Sequence, residues 1–297
     1  MPQNLKIGVI GIPGKWSTET LADTLESKTG FRYVIDMQKT HLDLSTNQLY
    51  HGETNLSDFD ALIIKKISSQ YDPNTLDRLE LLRCVQSHGV KIFSDPLQIL
   101  RLIDRLSCTV SMRNHGIAMP PTLITEDKDA ALNAVQNYHE AVFKPLYSTK
   151  ARGMQIISAA QNEKKILSAI SAFQKNNPMM YIQQKVNLPG RDLGLVFLGG
   201  EYLGAYARVN QGKTWNTTIH HGGKYALYQP DDTIIALAQQ AQDIFSLDFT
   251  TVDVAETDDG PIVFEVSAFG GFRGAKEGIG IDAASLYADY VIREITA

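Results

Sequence analysis

The stretch Asp253-Val-Ala-Glu-Thr-Asp-Asp-Gly-Pro-Ile-Val-Phe-Glu265-Val-Ser267-Ala-Phe-Gly-Gly-Phe-Arg-Gly274 reads as two strands joined by a tight turn. A three-residue loop Asp258-Asp259-Gly260 places glycine last, in the left-handed conformation such loops require. In that register Asp253 stands opposite Glu265, on one face with Cβ atoms about 5 Å apart. Ser267, two residues on, points the same way, while Ile262, Phe264 and Val266 turn toward a core. Two facing carboxylates repel unless something positive sits between them. A hard dication answers that need with oxygen ligands, and Mg²⁺ commonly takes one or two carboxylates plus substrate phosphates. The same spacing also describes a solvated strand face with incidental acids.

The surrounding chain is an ordinary globular sequence of 297 residues, 43% hydrophobic and 21% charged, long enough for two or three domains. Its net charge of -5 argues against a nucleic-acid binder held by charge, but leaves room for a local basic site that holds phosphates. Cys84 and Cys108 are the only cysteines and read as core residues of a reducing compartment. The N-terminus lacks a secretory signal, and no apolar run approaches the roughly 20 residues of a membrane helix. The expectation is a cytoplasmic protein without membrane or nucleic-acid partners.

Upstream, strands alternate with helices. Lys6–Gly11, Tyr33–Asp36, Asp60–Ile64 and Val90–Phe93 read as strands, with helices from Ser17 and over Leu76–His88. That alternation predicts a doubly wound parallel α/β sheet over residues 1–104. Pro96–Arg113 reads as one helix stopped by Gly116. The order then becomes α+β with antiparallel hairpins: a central unit over residues 105–186 and a last unit over 187–297. Strands are expected at Ala141–Pro145 and Tyr181–Val186, and a closing helix at Asp282–Ile295.

Several short motifs in order carry a family resemblance. Lys144 in Phe-Lys-Pro-Leu, Gln183-Gln184-Lys185-Val186, Pro189-Gly190-Arg191-Asp192, and Asp253 with Glu265-Val266-Ser267 resemble the ATP-grasp superfamily. Its RimK-like branch, the ribosomal-protein glutamate ligases and their relatives, is the most similar. The ending Phe264 to Gly274 is similar to the GAK-system ATP-grasp proteins. The resemblance runs over nearly the whole chain. It implies an ATP-grasp fold in which a nucleotide lies between two α+β subdomains. It also implies ATP- and Mg²⁺- (or Mn²⁺-) dependent carboxylate–amine ligation through an acyl phosphate. The substrates would be small molecules or peptides, and a homo-oligomer is compatible.

Residue by residue, the resemblance implies that Lys144 and Arg105 meet nucleotide phosphates and that Gln184, Lys185 and Val186 read the adenine edge. Asp192 would lie near the ribose, although a turn residue after Pro189-Gly190 fits it equally. Arg208 would stabilise charge on the transferring phosphate, a role suited to a permanently charged fork. Arg152 belongs to the loop 148–153, which reads as a lid over the phosphates or as a charged surface loop. Asp253, Glu265 and Ser267 form the implied metal set. Asn216, Thr218, His221 and Arg273 are the candidate substrate contacts.

The chain departs from the family pattern at several positions, and the positive groups it loses lie near the acceptor side. Arg105 stands where lysine is usual, Gly194 where arginine is frequent, Asn216 and Thr218 where arginine and asparagine are expected, and Ser267 where asparagine completes the metal set. They leave a nucleotide-binding scaffold without turnover, or a phosphotransferase, as alternatives. The loop Gly8 to Lys15 is neither a dinucleotide fingerprint nor a Walker loop. His220 and His221, adjacent on a strand, point to opposite faces, which argues against a shared metal, and Trp16 and Trp215 read as packing residues.

Overall fold

Short, wholly apolar runs become parallel strands because helices cover both of their faces. The computed structural model describes residues 4–148, 151–210 and 223–297. Its N-terminal layer contains β1 (Ile7–Ile10), α1 (Trp16–Thr29), β2 (Val34–Ile35), β3 (Thr40–Asp43), β4 (Gln48–His51), β5 (Thr54–Asn55), β6 (Ala61–Ile64), α2 (Pro73–Ser87) and β7 (Lys91–Phe93). The parallel sheet runs β2-β1-β6-β7. Ile10, Leu62, Ile64 and Ile92 pack with Leu79 and Leu82 of α2. Ile7, Val9, Ile63 and Phe93 pack with Leu21 and Leu25 of α1 in a second cluster. The doubly wound expectation therefore holds.

Three local expectations change in this layer. The small antiparallel sheet β3-β4-β5 was not anticipated, its strands being short and polar. Helix α1 starts at Trp16, and its N-cap, Lys15, makes no side-chain cap bond, so Ser17 lies inside the first turn. Cys84 is only partly buried, with Sγ 3.0 Å from Asn47 O, whereas Cys108 is a core residue.

The long helix expected over Pro96–Arg113 is two, α3 (Pro96–Ile103) and α4 (Arg105–Asn114). Asp104 is extended between them, and its carboxylate accepts from Leu106 N at 3.0 Å. That side-chain cap competes with helix continuation. It also sets Arg105 at the start of α4.

The central unit holds β8 (Thr122–Thr125), α5 (Lys128–Tyr138), β9 (Glu140–Lys144), β10 (Gln155–Ser158), α6 (Glu163–Gln174) and β11 (Met180–Gln184). Its antiparallel sheet runs β10-β9-β11-β8, with α5 and α6 packed on Phe143, Ile157 and Ile182. Strand β11 ends at Gln184, so Lys185 and Val186 lie beyond it.

The last unit holds β12 (Arg191–Leu198), β13 (Glu201–Val209), β14 (Lys224–Tyr228), α7 (Asp232–Asp243), β15 (Phe249–Thr257), β16 (Gly260–Ser267), α8 (Phe272–Ile279) and α9 (Ala283–Thr296). Its antiparallel sheet runs β14-β13-β12-β15-β16. Helix α9 folds back onto the N-terminal layer, where Tyr287 and Val291 join the cluster of Leu21, Leu25 and Phe93.

The β15–β16 hairpin reaches the expected pairing by a different route. Thr257 pairs with Gly260, so the loop has two residues, not three. A β-bulge between Val254 and Asp253 then inserts Phe264, and beyond it Asp253 faces Glu265 and Thr251 faces Ser267. The bulge also changes which side chains reach the core. Val263 and Val266 are buried, whereas Ile262 and Phe264 are only partly so.

Candidate active site

Strand register assembles the site on one face of the five-stranded sheet. Asp192 is paired with Arg208, Gly194 with both Tyr206 and Asp253, and Asp253 with Glu265. Opposed residues share a face, and so do residues two apart. Asp192, Arg208, Tyr206, Asp253 and Glu265 are thereby brought together around a glycine.

Charge pairing is extensive. Arg208 lies flat against Asp192, with Nε 3.1 Å from Oδ1 and Nη2 on Oδ2. The same Nη2 reaches Asp253 Oδ2 at 2.9 Å. Burial works against the Arg208 charge, but Asp253 and Asp192 more than offset it and hold the group protonated. Burial raises the Asp253 carboxyl above the usual carboxylate range, and Asp192 and Glu265 push the same way against Arg208. Asp192 and Asp253 thus share the charge of a single arginine.

The second acid meets the other half of the molecule. Arg105 Nη1 is 3.4 Å from Glu265 Oε2, while Arg105 Nε and its backbone N donate to Pro145 O and Leu146 O, each at 3.3 Å. Lys144, at the end of β9, donates to Gln183 Oε1 and lies 5.5 Å from the Phe264 ring centroid. Burial pulls its ammonium down to about 7; Arg105 adds to that and Glu265 opposes it. A small cavity beside these groups is lined by Tyr71, Arg105, Ser148, Phe264 and Glu265. Within it the Ser148 hydroxyl is buried and has no hydrogen-bond partner among the described residues.

The remaining candidates are placed as follows. Gln184 N donates to Pro121 O and Lys185 N to Glu140 O, each at 2.9 Å, and Lys185 Nζ pairs with Glu140 at 2.6 Å. Arg152 Nη2 lies 3.5 Å from Ser69 O. Arg273 is exposed on α8, pairs with Glu277 at 3.5 Å and lies over Trp16 at 5.6 Å, outside the acid cluster. Trp16, expected as packing, is 37% exposed and carries Lys276 on its ring as well. Asn216, Thr218 and His221, with Trp215 and His220, lie outside the described residues.

Tyr206 joins the site without having been a candidate; Gln183 was named only within a motif and Phe264 only as a core residue. Tyr206 carried a signal, being two residues from Arg208 on the same strand. Phe264 carried none, because only the bulge brings it to Lys144.

The donor set suits Mg²⁺. Among the described residues no group of three or more His, Cys, Asp or Glu forms a metal cage. Mg²⁺ does not need one, since it keeps waters and accepts one or two carboxylates with substrate oxygens. Asp253, Glu265 and the Ser267 hydroxyl are oxygen donors of the kind that demand needs. No helix among the described residues is long and apolar enough to cross a membrane.

Comparison with known proteins points the same way. The family model for a RimK-like ATP-grasp domain matches residues 103–291. The chain is 22% identical to the tetrahydromethanopterin:alpha-L-glutamate ligase of Methanosarcina acetivorans, over 96% of this chain and 98% of that one. It is 26% identical to a probable alpha-L-glutamate ligase of Aliivibrio fischeri, over 97% and 95%. In fold it is similar to the ATP-grasp ligase PsnB complexed with minimal precursor, at a TM-score of 0.76 and 17% identity, covering 98% and 99% of the two chains.

Proposed function

Because the chain belongs to the RimK-like ATP-grasp family, we propose that it is an ATP- and Mg²⁺-dependent carboxylate–amine ligase. Its substrates are a small-molecule or peptide acid and an amine. The observation that carries this reading is the opposed pair Asp253 and Glu265, each met by an arginine from a different unit of the fold.

In the reaction, a substrate carboxylate oxygen attacks the γ-phosphorus of ATP and ADP leaves, giving an acyl phosphate. The amine nitrogen then attacks the acyl carbon, phosphate departs and a proton is lost, giving the amide. No enzyme nucleophile is needed; the protein positions the reactants and neutralises charge. A Mg²⁺ ion held by Asp253, Glu265 and Ser267 would supply charge neutralisation for the β- and γ-phosphates. Lys144 and Arg105 would hold phosphate oxygens, with the Ser148 hydroxyl as a further donor. Arg208 would meet the charge that develops on the transferring phosphoryl group. With the amides of Gln184 and Lys185 already donated internally, the adenine edge would be read by neighbouring carbonyls and by Val186. The domain limits 1–104, 105–186 and 187–297 fit this division of labour.

Calorimetric titration with a non-hydrolysable ATP analogue, with and without Mg²⁺, tests the reading on wild type and Asp253→Asn. Mg²⁺-dependent binding that the substitution weakens supports it. Absence of binding to folded wild-type protein would favour a scaffold that has lost its nucleotide.

A further inference from the structure

The Asp192 carboxylate is 6% exposed and spends both oxygens on one guanidinium. A ribose acceptor needs an oxygen turned to an open cleft, and Asp192 offers none. What it does offer is a flat, two-point seat for the Arg208 fork, from which Nη2 extends to Asp253. We propose that Asp192 is a positioning residue for Arg208. It holds the guanidinium beside the metal-binding carboxylate so that, once a dication takes Asp253, the charge faces the transferring phosphate. This rests on the ligase reading above.

The seat matters once a dication takes Asp253. Arg208 then loses its 2.9 Å partner there, and Asp192 is the anion that still orients it. Bidentate, charge-assisted pairs fix direction as well as energy. Remove the Asp192 charge and Asp253 becomes the nearest anion left to Arg208. The arginine then competes with the dication for that carboxylate and turns away from the phosphate. The arrangement follows from register alone: Asp192 and Arg208 are directly opposed on β12 and β13, and Asp253 is opposite Gly194, two residues along from Asp192.

Two affinity ratios test this with Asp192→Asn, measured calorimetrically with Mg²⁺ present. The first is the preference for AMPPNP over ADP, which reports the seat of the γ-phosphate. The second is the preference for ADP over 2′-deoxy-ADP, which reports the ribose. The expected result is a fall of about tenfold in the first ratio and no change in the second. Turnover should fall roughly 10²–10³-fold, with the KM for ATP rising by about the same tenfold as the AMPPNP affinity falls. Asp192→Glu should recover part of the first ratio. Loss of the ribose ratio with the γ-phosphate ratio intact would overturn the proposal and make Asp192 a ribose ligand. Both ratios unchanged would overturn it as well. If Asp192→Asn does not fold, Arg208→Lys is read in the same ratios. Its ammonium cannot lie on the carboxylate as a fork, so an unchanged first ratio there counts against positioning. No binding of either AMPPNP or ADP to folded wild-type protein would sink the ATP reading and this proposal together. A wild-type ratio well above one that survives in Asp192→Asn would sink only the proposal.

Discussion

Tyr206 occupies the space that a side chain on Gly194 would need. The two are directly opposed on β13 and β12, and a Cβ on Gly194 would come within 2.4 Å of the tyrosine ring carbon Cζ. The ring is 4% exposed and is also hemmed in by Gly274 and Gly278 of α8. It therefore has no room to yield. Gly194→Ala should cost about 1–3 kcal/mol by overpacking. Pairing it with Tyr206→Leu should recover part of that cost, so the two effects will not add in a double-mutant cycle of denaturant midpoints. Additive losses would show that the ring is not the obstacle.

The facing acids Asp253 and Glu265 give a second expectation. Glu265→Gln should remove Mg²⁺-dependent nucleotide binding and lower amide formation by at least about 10². The residue also pairs with Arg105 at 3.4 Å, so a nucleotide-free melting curve must accompany the assay. Full amide formation in the variant would exclude this pair from the metal site.

Phe264 lies under the Lys144 ammonium at 5.5 Å. A cation over an aromatic face is worth about 0.5–2 kcal/mol. Phe264→Leu keeps the bulk and loses that attraction, so ADP should bind a few-fold more weakly, while Phe264→Tyr should bind like wild type. Equal ADP affinity in both variants would remove Phe264 from the site.

Lys65 supplies a pH dependence away from the acids. It is 5% exposed, donates to Gly270 O at 2.7 Å and lies 4.2 Å from the Phe272 ring centroid. Burial, aided by neighbouring Lys66, pulls its ammonium down from 10.5 to about 7. Between those values the unfolded chain binds a proton that the fold does not, so stability gains as pH rises above 7. Below 7 both states are charged and the full penalty stays. Lys65→Met should therefore stabilise most near pH 6, and its advantage should shrink by on the order of 2 kcal/mol by pH 9. An advantage independent of pH would mean that the buried lysine is not the titrating group.

Much of this architecture was legible from local pattern. The alternating strands and helices of the first hundred residues follow from periodicity, whereas the expected pairing of Asp253 with Glu265 holds only because a bulge offsets a turn one residue shorter than expected. The break at Asp104 was not legible, because a capping aspartate inside an apolar helix pattern looks like a solvated helix residue. The polar strands β3, β4 and β5 lack the apolar alternation that marks a strand. Among the candidate site residues, Lys144, Arg105, Arg208 and the acids were singled out by ordered motifs, and strand register and ion pairs bring them near one another. The Asp192–Arg208 pairing was missed because it depends on the register of β12 against β13, which no single strand encodes. Phe264 was assigned to the core because the inserted bulge residue reverses the alternation.

That inserted residue also separates two properties usually locked together in a hairpin. Turn length ordinarily dictates pairing along both arms. Here the slip lies between the turn and the acids, while β12 holds Asp253 from the other side through Gly194. Changes at the Asp258-Asp259 tip can be absorbed before they reach residue 253. Exposed tips of this kind tolerate added chain. The tip is accordingly the place to insert a fluorophore-bearing peptide, with Glu265 still opposite Asp253 and nucleotide affinity unchanged.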